Sequence, residues 1–395
     1  MNNRPTIPDL EFRTRASNVQ KKMIEHDIDV LLAFANEAEP QFVRYLSNYW
    51  PSFETAAVVL GQEGPPILII GPESLTYASD RSKIAEIRRV QSFRESSNPE
   101  YPGVTLDSLE DVIKDVIKNK PLKHAAIAGY NLVSHLVYED FSSALKRFDC
   151  HVIKNGDNLI MEPRMVKSEN EIHCMREASR ITRAAMDHVL RTIQVGMTEI
   201  QVRGIGVSKI FEMGGENEAY PMWTLAGSGG DQAISRARHK IIQDGDLVHI
   251  GVGARYEGYA SSIGRQAIMG SPKEWMIKAI GTAYEAHELV LSRLYAGNNA
   301  RDVADTYFTF MKKHNYEDWL LYGPCHATGM MEGEPPWIES NSDYELKENM
   351  TYCIDIFMQN SRGEGFRVED SVRVGKIKGE NMTNFPKELF IINSR

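Results

Sequence analysis

The sequence has little that would mark a secreted, membrane-bound or nucleic-acid-binding protein. Its four cysteines, Cys150, Cys174, Cys325 and Cys353, are scattered with no C-x-x-C pair. That removes a disulfide framework and a zinc-ribbon pattern, and it fits a reducing compartment. The longest apolar runs are strand-length and the stretch MNNRPTIPDLEFRTR contains none, so neither a signal peptide nor a membrane span is expected. A Lys/Arg block is missing too: 45 basic against 54 acidic residues leave a formal charge of −9, the wrong sign for tracking a phosphate backbone. Low-complexity tracts and solenoid-period repeats are absent. What remains is an ordinary globular composition, 42% hydrophobic and 25% charged over 395 residues, long enough for two or three domains with cores of their own. The expectation is a cytoplasmic protein with a small-molecule partner, using neither nucleic acid nor membrane.

Periodicity divides the chain. Phe12, Val19 and Met23 recur at helical spacing and feed the continuous apolar run Ile28 to Phe34, the pattern of a helix followed by a buried strand. Further short runs at 55–60, 66–70 and 125–128, with a helical stretch at 106–117, predict an α/β domain over residues 1–160. A polar joint follows. Ser168 with Glu171, and Thr198 with Gln201, have capping-box spacing and predict two successive helices, the second ended by Gly214 and Gly215. Two strands around a tight turn at 255–258, helices over 272–295 and 300–314, and short strands after Gly323 complete an α+β domain over residues 161–395.

Candidate chemistry concentrates in three segments of the second domain: GDLVHIGVGARYEGYASSIGR, CHATGMMEGEPP, and the pair MTYCIDIF and GFRVED. Asp355 and Glu369 fall inside apolar strands, where a carboxylate is costly unless it is paired or used. Arg367, two residues before Glu369 on one strand face, is the nearest counter-charge. Trp223, Trp337, Tyr352 and Phe357 flank these segments as core or as walls of a pocket. Gly227-Ser228-Gly229-Gly230 and Gly251-Val252-Gly253 lack the rest of a phosphate-loop or dinucleotide signature and read as turn or packing glycines.

The ordered motifs GDLV-x-I-x-x-G-A-x-Y-x-G-Y, H-x-x-G-x-x-x-x-E-x-P, M-x-x-x-I-[acid] and V-E-D resemble the pita-bread family of methionine aminopeptidase, prolidase, aminopeptidase P and creatinase. The resemblance spans nearly the whole chain and implies a pita-bread catalytic domain preceded by a creatinase-type N-terminal domain. It implies that the metallopeptidases' two Asp ligands fall on Gly251 and Ser262, the His on His326, and the two Glu on Asp355 and Glu369. Two carboxylates are thereby lost, so a two-ion site is not expected. No cofactor is expected, with a lone ion on His326, Asp355 and Glu369 as the lesser reading. The family histidine before the GD pair falls among Ile234 to Arg236, and that of the H-E-x-P run falls on Gly333.

The run Asn381 to Pro386 is similar to the ending of creatinase, which works without metal. The resemblance therefore implies first a metal-independent hydrolase of a C–N bond in a small zwitterion. His326, Glu334, Asp355 and Glu369 would then be catalytic, with Arg367, Ser262 and Arg265 binding substrate. It also implies a homodimer in which Phe53 and Trp50 reach the partner's site. The alternatives are an Xaa-Pro metallopeptidase with a degenerate metal site, an inactive small-ligand-binding homologue, or a lyase on the same fold.

Overall fold

The structure, a computed structural model, describes residues 4–118 and 120–393. The chain forms two compact units, Ile7–Arg164 and Met165–Arg395, the second including the stretch Met1–Thr6.

In the first unit six strands form one mixed sheet: β1 Val30–Ala35, β2 Ala56–Gly61, β3 Ile67–Ile70, β4 Ile87–Arg89, β5 Ala125–Ala128 and β6 Ile153–Asn155, in the order β4-β3-β2-β1-β5-β6. The run read as a strand from Ile28 pairs from Val30, antiparallel to β2 and parallel to β5. Every residue of β1, β2, β3 and β5 is buried, which is why these segments read as continuous rather than alternating apolar runs. Within the polar joint, Asp157–Met165 is helical despite Pro163.

The second unit opens with helices Glu169–Thr192 and Glu199–Glu212, each held by the complete capping box that the sequence predicts. Among the described residues ten strands follow: β7 Asn217–Glu218, β8 Trp223–Ala226, β9 Leu247–Tyr256, β10 Tyr259–Met269, β11 Cys325–Ala327, β12 Glu334–Ile338, β13 Thr351–Gln359, β14 Gly365–Arg373, β15 Glu380–Asn381 and β16 Phe390–Ile392. The main path runs β12-β11-β13-β14-β10-β9-β7. The turn between β9 and β10 is Glu257-Gly258, both at positive φ (49° and 85°), the two-residue connection whose twist suits an antiparallel hairpin. Its register pairs Gly251 with Gly264 and Gly253 with Ser262, so Gly251 and Ser262 are diagonal rather than direct neighbours.

Alternation along β13 and β14 positions the chemistry. Tyr352, Ile354, Ile356, Met358, Phe366, Val368 and Val372 enter one apolar core with residues of helices Glu274–Arg293 and Ala300–Lys313. A period of two then turns Cys353, Asp355, Phe357, Arg367 and Glu369 to the opposite face. Asp355 pairs directly with Glu369, and His326 on β11 with Cys353.

Candidate active site

That face gathers four potential ligand groups. Single atoms of His326, Glu332, Cys353 and Glu369 all lie within 4.8 Å of one another. His326 Nδ1 faces a lone acceptor, the carbonyl of Ala327 at 3.1 Å, and therefore carries the proton there. Its Nε2 then presents a lone pair to three carboxylates: Glu332 at 3.5 Å, Asp355 at 3.9 Å and Glu369 at 3.9 Å. Such an arrangement requires a cation, either a proton or a metal ion, among these atoms.

The three acids are not equivalent. Asp355 is neutralised: its Oδ1 lies 2.8 Å from Arg367 Nε, and its Oδ2 accepts from the Tyr322 hydroxyl at 2.7 Å. Arg367 donates through Nη2 to the same hydroxyl oxygen at 2.7 Å and to the Ala233 carbonyl at 3.1 Å. The counter-charge expected for Glu369 is thus spent on Asp355 across the strand pair. Glu369 is 1% exposed and neither carboxylate oxygen has a hydrogen-bond partner. Burial first, then Asp355 and Glu332, raises its pKa well above the usual carboxylate range, and burial raises Glu332 as well. The pair shares a proton to unusually high pH or is neutralised by a bound cation.

The vacated ligand positions are filled. A Cβ on Gly251 would come within 2.9 Å of the Trp223 ring and 3.2 Å of the Tyr220 hydroxyl, and one on Gly264 within 2.7 Å of Arg367 Cγ. Tyr220 and Trp223 pack at 4.5 Å between ring centroids, and Arg367 lies 4.3 Å over Trp223. Tyr220 and Ser262 share a hydrogen bond of 2.8 Å, so the Ser262 hydroxyl serves the aromatic wall. Behind it, His249 is fully buried, and burial together with Arg367 lowers its pKa to about 3. It is a neutral spacer between Trp223 and Phe357.

The donor set therefore does not fit two metal ions. It does fit one: with Asp355 balanced by Arg367, Glu369 and Glu332 leave two carboxylates beside the imidazole. The lone-ion set read from the sequence changes accordingly, with Glu332 in place of Asp355. Glu332 was passed over because its neighbour Glu334 occupies the family's acid position. The usable signal was its place six residues after His326, on the turn that leads into β12.

Two other residues of the predicted set are engaged by other protein groups. Glu334 meets Lys167 at 3.1 Å with both side chains under 4% exposed, and Gly329 is the glycine of H-x-x-G because a Cβ there would strike that pair. Arg265 is fully buried and its donors are consumed: both Asp370 oxygens at 3.0 Å, and the carbonyls of Gly264, Glu369, Phe385 and Pro386. It has no N–H to offer a substrate. Thr383 also donates to Asp370, so the creatinase-like run 381–386 takes part in this lock. In the first unit, the Trp50 indole donates to the Glu37 carbonyl and lies under Arg44, while Phe53 is 84% exposed.

The aromatic groups Trp337, Tyr322 and Phe357 border the cluster, and solvent meets it at Glu332, whose side chain is 17% exposed. A hollow of about 680 Å³ beside Arg180, Arg183, Phe385 and Phe390 contains none of these residues, so the site is defined by its chemistry.

Residues 173–376 match the model of metallopeptidase family M24. The chain is 26% identical over 381 residues to an Xaa-Pro dipeptidase of Pyrococcus furiosus, covering 96% of this chain and all of that one. Its fold is similar to that of an X-Pro aminopeptidase of Thermotoga maritima (TM-score 0.81, 23% identity, 95% and 99% of the two chains). The prolidase of Pyrococcus horikoshii is nearly as similar (0.79, 22%, 95% and 99%). The pita-bread expectation holds, and the chain belongs to metallopeptidase family M24, a family of hydrolases acting on C–N bonds. These relatives bear Xaa-Pro peptidase names, and the narrower likeness to creatinase gains no support from them.

Proposed function

We propose that this protein hydrolyses a C–N bond of a small peptide or peptide-like substrate, the degenerate Xaa-Pro peptidase reading, at the cluster of His326, Glu332 and Glu369. The observation that carries this is the Glu369 carboxylate, buried, without a hydrogen-bond partner, and facing a second acid and an imidazole lone pair. A stability-driven fold does not keep such a group, because an apolar isostere would remove its desolvation cost.

His326, Glu332 and Glu369 would hold a single divalent ion, which would supply Lewis acidity toward a carbonyl oxygen or water. The chain's own groups do the remaining work. Glu332, whose side chain is 17% exposed, marks the solvent-facing edge at which water and substrate meet the cluster. Asp355, fixed by Arg367 and Tyr322, cannot rotate to serve as base and instead holds the Tyr322 hydroxyl and the guanidinium in position. Trp337, Tyr322 and Phe357 offer apolar faces to a proline-like ring or an aliphatic side chain.

A second reading, creatinase-like hydrolysis of a small zwitterion by protein groups alone, is favoured by the filled positions at Gly251 and Ser262. The exposed aromatic Phe53 supports a homodimer in which it and Trp50 reach the partner's site. The deciding experiment is a hydrolysis screen of Xaa-Pro and other dipeptides beside amidines and lactams, with chelated and metal-loaded protein and Glu369→Gln. Dipeptide turnover abolished in the variant is expected. Turnover only of a non-peptide zwitterion, insensitive to chelation, would establish the second reading.

A further inference from the structure

The positions at which the family resemblance places two further ligands, Gly251 and Ser262, lie on β9 and β10, whereas Glu332 and Cys353 offer ligand atoms on the other side of His326 and Glu369. We infer that the chain carries one relocated metal site, in which His326, Glu332, Glu369 and the Cys353 thiolate bind a single thiophilic divalent ion of the zinc or cobalt kind. The inference deepens the proposed function, since it concerns the same cluster and rests on its being the reaction centre.

The four ligand atoms already lie within 4.8 Å of one another without an ion. Ligands bonded at about 2.0 to 2.3 Å stand roughly 3.3 to 3.8 Å apart around the ion, so side-chain rotation on a fixed sheet brings the four atoms into range, and expansion to a fifth position would admit the reacting water. Three ligands stand on paired strands: His326 is in register with Cys353, and Cys353 lies two residues before Asp355, the register partner of Glu369. The independent sign of a ligand is Glu369, 1% exposed with both oxygens unpartnered.

Charge and softness set the class of ion. Arg367 cancels Asp355, which leaves the two glutamates and, once ionised, the Cys353 thiolate to face one dication. The Cys353 sulfur is fully buried, and its neighbour, the Ser371 hydroxyl, is 3.6 Å away. A thiol between an imidazole and two carboxylates selects zinc or cobalt over the hard ions that all-carboxylate sites prefer. Binding would release the thiol proton to solvent, sulfur becoming an anionic ligand without any change of oxidation state.

The test is titration of chelator-treated full-length protein with cobalt(II) and zinc(II), followed by calorimetry and by absorption. One ion per chain and a near-ultraviolet thiolate-to-cobalt band are expected. Cys353→Ser should abolish the band, and Glu332→Gln should weaken binding more than about 100-fold, since even outer-shell partners of a metal are worth about 10 to 100-fold. Near-ultraviolet circular dichroism of both variants controls for folding. Two ions per chain, no ion, or a band unaltered by Cys353→Ser would overturn the inference. An ion bound as described without peptide turnover would instead sink the proposed function and leave the site standing.

Discussion

Arg367 lies over Trp223, its guanidinium carbon 4.3 Å from the ring centroid, while its Nε sits 2.8 Å from Asp355 Oδ1. One side chain thus neutralises a ligand-position acid and helps fill the space from which a ligand has been lost. Stacking on an aromatic face suits the weakly hydrated guanidinium, and burial, which opposes its charge, is outweighed by Asp355, so its pKa is raised.

If the aromatic wall of Trp223 and Tyr220 has taken over the space at Gly251, restoring the acid there should fail. Gly251→Asp puts a Cβ 2.9 Å from the Trp223 ring, an overpacking that costs about 1–3 kcal/mol. Denaturant unfolding should show that loss, and metal analysis should show no second ion. Unchanged stability together with two ions per chain would mean that the space is free.

Glu369 should leave a signature in stability against pH. Its folded pKa is raised well above the 4.5 of a free glutamate, so between these values the native state holds a proton that the unfolded chain has released. The contribution is fully present below the unfolded pKa and is lost as pH rises through the folded one. In metal-free protein, stability should fall with rising pH over that window, and Glu369→Gln should flatten the fall while removing activity. Parallel curves for the two proteins would contradict the placement of the carboxylate.

The fold was legible because its signals are local and repeated. Capping boxes at Ser168 and Thr198, the strand-length apolar runs and the Glu257-Gly258 turn each specify their own backbone. His326 and Glu369 were legible through motif spacing. Arg265 was not, because its partners Phe385 and Pro386 are about 120 residues away in sequence and no spacing links them. Glu334 was legible through the motif and Glu332 was not, and the exchange of one for the other becomes visible only where Lys167 holds Glu334.

Lys167 and Glu334 test that exchange. Removing one partner of a buried pair strands the other charge and costs about 3–5 kcal/mol, whereas replacing both is often neutral. Lys167→Met should therefore be strongly destabilised, and Lys167→Met combined with Glu334→Gln should recover most of the loss. The double variant should keep turnover close to that of the parent protein. A stable double variant without activity would return Glu334 to the reaction.

Arg265 and Asp370 form the other buried lock, and their prediction concerns acid. Burial raises the pKa of Asp370, but Arg265, His287 and Lys387 outweigh it, and the net shift is downward. Its contribution is present above the unfolded aspartate value of about 3.9 and is lost as pH falls through the folded pKa. The parent protein should lose stability steeply on acidification, and Asp370→Asn should flatten that limb from a lower plateau. Arg265→Lys keeps the charge but offers one compact donor group where the guanidinium reaches four carbonyls and a carboxylate. It should cost roughly the 3–5 kcal/mol of a broken buried pair, read from denaturant midpoints. Because these contacts join β10 and β14 to the run 381–386, behind the reacting face, activity should decline only in proportion to the unfolded fraction. A folded Arg265→Lys protein with altered KM would place Arg265 at the substrate after all.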